Sequence, residues 1–250
     1  MFMKLINYNL LMAILILCLA VGLYAQDNKD IENKWGGDAA VGLTLARGNT
    51  DTTNFSLTFS AKGPLSKSLV NTNKAYFLLS KERDITNAES MGIHSQIKWE
   101  HSQRFFSYYE VQGFRDRFKN YTYRILPAAG IGYNVVSTER INLSARAGIS
   151  PVLTKYYKSG ETDSYASIAF GNQFTWKISE GAEITQSLDI NTNFSELGRY
   201  FFHFEVSLAS AITKGLSVKL TVMDNYDNKP VGEGIKKSDI SFIAGLSAKF

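Results

Sequence analysis

The sequence predicts an all-β protein, a transmembrane up-and-down antiparallel β-barrel of about twelve strands. Three observations predict it. Apolar residues alternate with small or polar ones from Trp35 to Phe250, the connections alternate between tight and loose, and aromatic residues gather at two levels of the strands. Alternation marks strands with one apolar face, because successive side chains of a pleated ribbon point to opposite sides. It is plain in Ala39, Val41, Leu43, Leu45, in Phe55, Leu57, Phe59, Ala61, and in Ile141, Leu143, Ala145, Ala147, Ile149. Strands are expected at roughly 37–46, 52–62, 70–81, 89–100, 104–115, 121–136, 140–155, 162–177, 181–194, 200–213, 215–226 and 238–250. No stretch after Gln26 sustains a helical period, and no domain boundary or low-complexity linker interrupts the pattern.

The connections fall into two classes. "GPLSKS", "EHSQR", "STER", "ISEG" and "TKG" are tight, whereas "RGNT", "KERDITNAES", "DRFKN", "YYKSGETD", "SELGR" and "NYDNKPVGEGIKKS" are looser or longer. Short turns at one end, longer loops at the other and both termini at the short end are the layout of a membrane barrel. An even strand count brings the last strand beside the first, so that it can close the sheet.

Alternation alone does not separate a membrane barrel from a soluble sandwich. Aromatic placement does, since a lipid-facing surface ends in girdles at both interfaces. Trp35, Trp99, Phe105, Tyr133, Trp176 and Phe250 fall near the short-turn ends on the apolar face. Tyr121, Tyr123, Tyr156, Tyr165, Tyr200, Phe202 and Tyr226 make a second belt near the opposite ends. A sandwich core would carry its aromatics at mid-strand instead.

The opposite parity then lines a lumen, and it is polar and charged. It carries His94 and Lys98 on the fourth strand, Glu110 on the fifth, Arg124 on the sixth and Arg146 on the seventh. Glu183 and Asp189 follow on the ninth, His203 and Glu205 on the tenth, and Lys219 on the eleventh. Charges of both signs facing one lumen can pair, which avoids the cost of an isolated desolvated ion. Phe106, Tyr108 and Phe201 share this face, so a barrel of this size can be largely filled.

Composition and the N-terminus bound the setting. The 250-residue chain carries a net charge of +4 and is 44% hydrophobic by count. Its basic residues are scattered among acidic ones, which excludes the continuous basic stripe of a nucleic-acid binder. Lys4 precedes the apolar run "LLMAILILCLAVGLY", which is followed by Ala25 and the polar "QDNKD". The run is shorter than the ~20 residues of a spanning helix. It reads as a signal peptide over residues 1–25, although Leu23 is bulkier than the small residue preferred before a cut. A short periplasmic segment, residues 26–34, would follow, and the barrel would occupy 35–250. Cys18 lies in the apolar run, so the exported chain would have no cysteine and no disulfide.

Catalytic readings are weaker. His94 can face Glu110 across "EHSQR", but Ser95 points away from His94, and no Gly-x-Ser-x-Gly elbow is present. His203 would lie near Asn191 and Asn193 if its hairpin pairs symmetrically. Asp189 and Glu205 can sit opposite one another, with Arg124 and Arg146 as counter-charges. The oxygen-rich "DNYDNKPVGEG" matches no calcium loop. "GIGY" lies within a strand, so it serves curvature or close packing rather than phosphate binding. No enzymatic activity, cofactor or metal is expected.

The segments "WGGDAAVGLTLARGNTDTTNFSL", "LPAAGIGYNVVSTERINLSARAG", "ITQSLDI" and "LSVKLTVMDNYDNKPVGEGIKKSDISFIAGLSAKF" resemble the DUF481 family of bacterial outer-membrane proteins, some described as salt-induced. The resemblance covers about Trp35 to Phe250. Gly48-Asn49-Thr50, Gly130/Gly132/Tyr133 and the set Tyr226, Asp227, Pro230, Lys237, Asp239, Phe250 look like its most recognisable positions. It implies a location in the cell outer membrane of a diderm bacterium, with outer-membrane lipid and the barrel-assembly machinery as partners. It carries no established activity, and terminal Phe250 resembles the signal that this machinery recognises. The expected role is envelope structure or stress tolerance without catalysis. A narrow channel for small solutes or ions is the first alternative, and an outer-membrane phospholipase-like hydrolase a more remote one.

Overall fold

Twelve antiparallel strands, hydrogen-bonded in sequence order and closed between the first and the last, form the barrel in a computed structural model. The structure describes residues 35–46, 52–82, 85–117 and 119–250. The expected signal peptide, the 26–34 segment, Cys18 and the Gly48-Asn49-Thr50 turn lie outside the described residues. The strands are β1 Gly36–Ala46, β2 Thr52–Pro64, β3 Leu69–Glu82, β4 Ile85–Glu100, β5 Phe105–Asp116 and β6 Tyr121–Ser137. They continue with β7 Ile141–Tyr156, β8 Thr162–Lys177, β9 Ala182–Asn193, β10 Tyr200–Ala211, β11 Leu216–Asp227 and β12 Ser238–Lys249.

The strands match the apolar alternation closely, with one difference of substance. β4 begins at Ile85, so most of "KERDITNAES", expected as a loop, is strand. Its first residues pair with Ser80–Glu82 across a register shift at Ser80/Lys81. This extension lies beyond the apolar part of the strand and lacks the alternation that reveals strands in sequence.

Closure rests on the C-terminus. Asp38 to Val41 pair with Lys249 to Leu246, and the amide and carbonyl of Gly37 exchange 3.1 Å bonds with those of Phe250. The Phe250 ring crosses Gly37 and stacks on Phe59, centroids 6.0 Å apart. A Cβ on Gly37 would come within 2.6 Å of that ring and closer still to the Ser60 carbonyl. Gly37 therefore leaves the groove in which the terminal aromatic lies.

The apolar parity faces outward. Val41, Leu57, Ile131, Ile149, Phe170, Leu220, Phe242 and Leu246 are all exposed on the barrel exterior. Trp99, Phe105, Trp176 and Phe250 are exposed near the short-turn ends. Phe105 packs edge-on against Tyr133 at 4.9 Å, and Trp35 lies against Gly63. At the other end only part of the expected belt faces out: Phe202 stacks on Tyr226 at 4.9 Å, and Tyr200 on Tyr226 at 5.9 Å. Tyr121 and Tyr156 are buried, and Tyr165 packs on the interior cluster of Leu126, Val152 and Phe201. For Tyr121 the reason is the register irregularity between Tyr121 and Tyr123, which reverses the strand parity at that point.

Polar groups on the outer face are bonded to one another. The Asn73 amide donates to Asn71, Ser95 donates to Asn73 at 2.8 Å, and Asn172 donates to Gln186 at 3.0 Å. Such pairing satisfies polar groups set on an otherwise apolar face.

Candidate functional site in the lumen

The interior is built from aromatic rings laid against glycines of the neighbouring strand. Register pairs Phe106 with Gly132 and Tyr76 with Gly92. A Cβ at Gly132 would overlap the Phe106 ring, and one at Gly92 the Tyr76 ring. Large side chains can thus lie flat on the wall and fill the lumen without forcing the strands apart.

A mid-lumen layer joins four strands through ions. Arg146 on β7 bonds to Asp189 on β9 and lies 3.4 Å from Glu110 on β5. Glu110 accepts from Gln96 at 2.8 Å and contacts His94 Nε2 at 3.1 Å. The expected His94–Glu110 contact therefore exists, but diagonally, because His94 pairs with Gln112 and Glu110 with Gln96. Asp189 and Glu205 are not opposite one another: Asp189 pairs with His203, and Glu205 with Ser187. His203 contacts Asn225 at 2.6 Å rather than Asn191 or Asn193. Its ring stacks on Tyr76 of β3 at 6.1 Å and lies 6.0 Å from Phe114. Strands on opposite walls meet there through aromatic rings.

Toward the longer loops a second layer of side chains crosses the lumen. Arg124 donates to Asp227 at 3.1 Å and to Thr154 at 3.0 Å, and Tyr121 donates to Asp227 at 2.6 Å. The guanidinium is sandwiched by Tyr121 and Phe201 rings, 4.1 and 4.5 Å from their centroids. Arg124 was visible in the sequence as an interior cation. Asp227, Tyr121 and Thr154 were not assigned to it, since partners on distant strands carry no local signal.

The β5–β6 turn folds over this layer. Lys119 bonds to the Asn225 carbonyl and lies 3.4 Å from Asp239. Asn120, in the left-handed region at φ +66°, donates to the Val231 carbonyl at 3.0 Å. Its backbone and side-chain oxygens accept from the amides of Tyr157 and Lys158, each at 2.7 Å. Lys119 and Asn120 are buried although they sit in a turn. Outside the strands, Lys229 bonds to Glu196 and holds that exposed carboxyl below its ordinary value.

Toward the short turns the lumen is open space. A cavity of about 540 Å³ runs from Lys62, Glu183 and Lys249 near the short-turn ends to Tyr76 and His203. Lys98 pairs with Glu100 at 3.0 Å in its wall, and Lys219 with Asp38 at 2.8 Å. Beyond the Tyr76–His203 pair lies a smaller cavity of about 40 Å³, bounded by Arg124, Phe201 and Asp227. Ser95 faces outward and bonds to Asn73, so it does not join His94 in a nucleophile–base pair. Among the described residues no three His, Cys, Asp or Glu side chains gather as metal ligands would.

Solved structures share the architecture. The chain is similar to the NanC porin, with a TM-score of 0.51 and 10% identity over 86% of this chain and 100% of that one. It also aligns with an outer-membrane channel from Pseudomonas putida F1 at TM-score 0.47 and 10% identity, covering 89% and 98%. The translocator domain of the autotransporter NalP from Neisseria meningitidis aligns at 0.46 and 10%, covering 95% of each. At 10% identity the likeness to the NanC porin is one of fold. No protein of curated function matches the sequence. The family model described as "Protein of unknown function, DUF481" matches residues 39–250, nearly all of the barrel, and the chain belongs to that family.

Proposed function

We propose that this chain is an integral outer-membrane barrel, exported by its N-terminal signal peptide, that serves envelope structure and stress tolerance with its lumen closed on the outer side. The short turns face the periplasm in this reading, and the longer loops face outward. The observation that carries it is the Arg124–Asp227–Tyr121 layer, which spans the lumen beneath the folded β5–β6 turn. A buried pair of this kind is costly to break, so it suits a closed shell better than a diffusion pore. No catalytic role is proposed. His94 and His203 already have interior partners, and Ser95, the serine next to His94, bonds to Asn73 instead.

A narrow channel is the second reading, favoured by the wide cavity on the short-turn side. Conduction through it requires the Arg124 layer to rearrange. Planar-bilayer recording of the purified protein separates the two: the closed barrel gives no unitary steps, and regular steps from the unmodified protein overturn it in favour of the channel. Lipid turnover that disappears in His94→Ala or His203→Ala would instead support a hydrolase.

A further inference from the structure

The cavity on the short-turn side has a charge arrangement that its internal ion pairs do not exhaust. Lys98 is matched by Glu100, Lys219 by Asp38, and Arg146 by Asp189 and Glu110. Among the described residues, Lys62, Lys74 and Lys249 then have no carboxylate within ion-pair distance, and Glu183 and Glu205 have no lysine or arginine at that distance, although Lys74 and Lys219 stand in the surroundings of Glu205. All five line the same cavity.

These leftover charges are segregated. The lysines lie on β2, β3 and β12, and the glutamates on β9 and β10. In the closed strand order β3 and β9 are diametrically opposite. Lys62, Lys249 and Glu183 stand near the short-turn ends, whereas Lys74 and Glu205 stand deeper, next to the Tyr76 and His203 that floor the cavity.

We infer that this cavity binds a small zwitterionic solute, its carboxylate toward Lys74 and its ammonium toward Glu205. An ion of one sign would be attracted to one wall and repelled by the other, whereas separated opposite charges satisfy both. The volume lies within the ~300–1,000 Å³ of small-molecule sites. Lys62 and Glu183 repeat the polarity at the mouth and orient the solute on entry. The inference stands whether or not the barrel conducts.

The test uses the purified, folded barrel in detergent, titrated calorimetrically with glycine, γ-aminobutyrate and 6-aminohexanoate, and with butyrate and butylamine as single-charge controls. Heat-modifiable gel mobility checks the fold of every variant. At least one zwitterion should bind saturably, and roughly tenfold or more tighter than either control. Lys74→Gln and Glu205→Gln should each remove that preference, and the exchanged pair Lys74→Glu with Glu205→Lys should recover it. If Glu205→Gln fails to fold, Lys62→Gln and Glu183→Gln carry the test through a weaker preference. Equal binding of butyrate or butylamine, no binding of any zwitterion to the folded protein, or an unchanged preference in folded Lys74→Gln would overturn the inference. None of these results bears on lumen closure, which conductance reads separately.

Discussion

The guanidinium of Arg124 on β6 reaches the carboxylate of Asp227 on β11 at 3.1 Å, joining residues 103 positions apart across the barrel. Both are buried; Thr154 accepts from Arg124, and Asp227 accepts from Tyr121 and from the Lys229 amide. Neighbouring strands hold the cylinder together through their hydrogen bonds, whereas this pair ties two non-adjacent strands together across the lumen.

Arg124→Ala should therefore destabilise the barrel by about 3–5 kcal/mol, because it leaves Asp227 charged and buried. Replacing both partners, as Arg124→Met with Asp227→Leu, should recover much of that loss, since the uncompensated ion is gone. Urea unfolding in lipid vesicles, followed by tryptophan fluorescence, reads both effects. A single variant as stable as the parent would show that water already compensates the carboxylate.

The turn above that layer is expected to open more easily than the layer itself. Asn120→Ala loses the bond to the Val231 carbonyl and the acceptor for the Lys158 amide. It also puts alanine in a left-handed conformation that costs about 1–2 kcal/mol. Faster protease cleavage in the β5–β6 and β11–β12 connections is the expected outcome, with the barrel otherwise folded. Asn120→Gly, which relieves the backbone cost alone, should be intermediate.

The seam gives a prediction about assembly. Deleting Phe250 removes the ring that stacks on Phe59 and the bonds exchanged with Gly37. Gly37→Ala keeps the terminus but obstructs the place where its ring lies. Both should lower the heat-modifiable folded fraction in the membrane more than any single loop substitution. Normal assembly without Phe250 would remove its role at the seam.

Facing is tested on one strand. Ile149, at the middle of β7, is 70% exposed on the exterior, while Ser144 lines the cavity. Ile149→Lys should cost ~2–4 kcal/mol in lipid if it lies near the midplane. Ser144→Lys, with its ammonium in a hydrated lumen, should cost much less. Leu143 is less informative, because it stands two residues from the short-turn start of β7, where the penalty for a charge falls.

Much of this protein could be read along the chain. The run from Ile240 to Phe250 announced a strand with one apolar face, and the same rhythm repeated through the barrel supplied the strand count, the faces and the closing role of the last residue. Those properties are local: a strand's parity is fixed by its own pleat, and a tight turn forces its neighbour to be antiparallel. The interior charges could be named for the same reason. Most of their partners could not, and even for His94 and Glu110, whose contact was legible, the register is shifted by two residues, which changes no face. A single irregularity at Tyr121 turned an expected girdle residue into part of the lumen lock. Sequence by itself determined the barrel and what each face is made of. Closure determined which side chains meet across the lumen, since only the finished cylinder brings β6 to β11 and β3 to β10 within bonding or stacking distance.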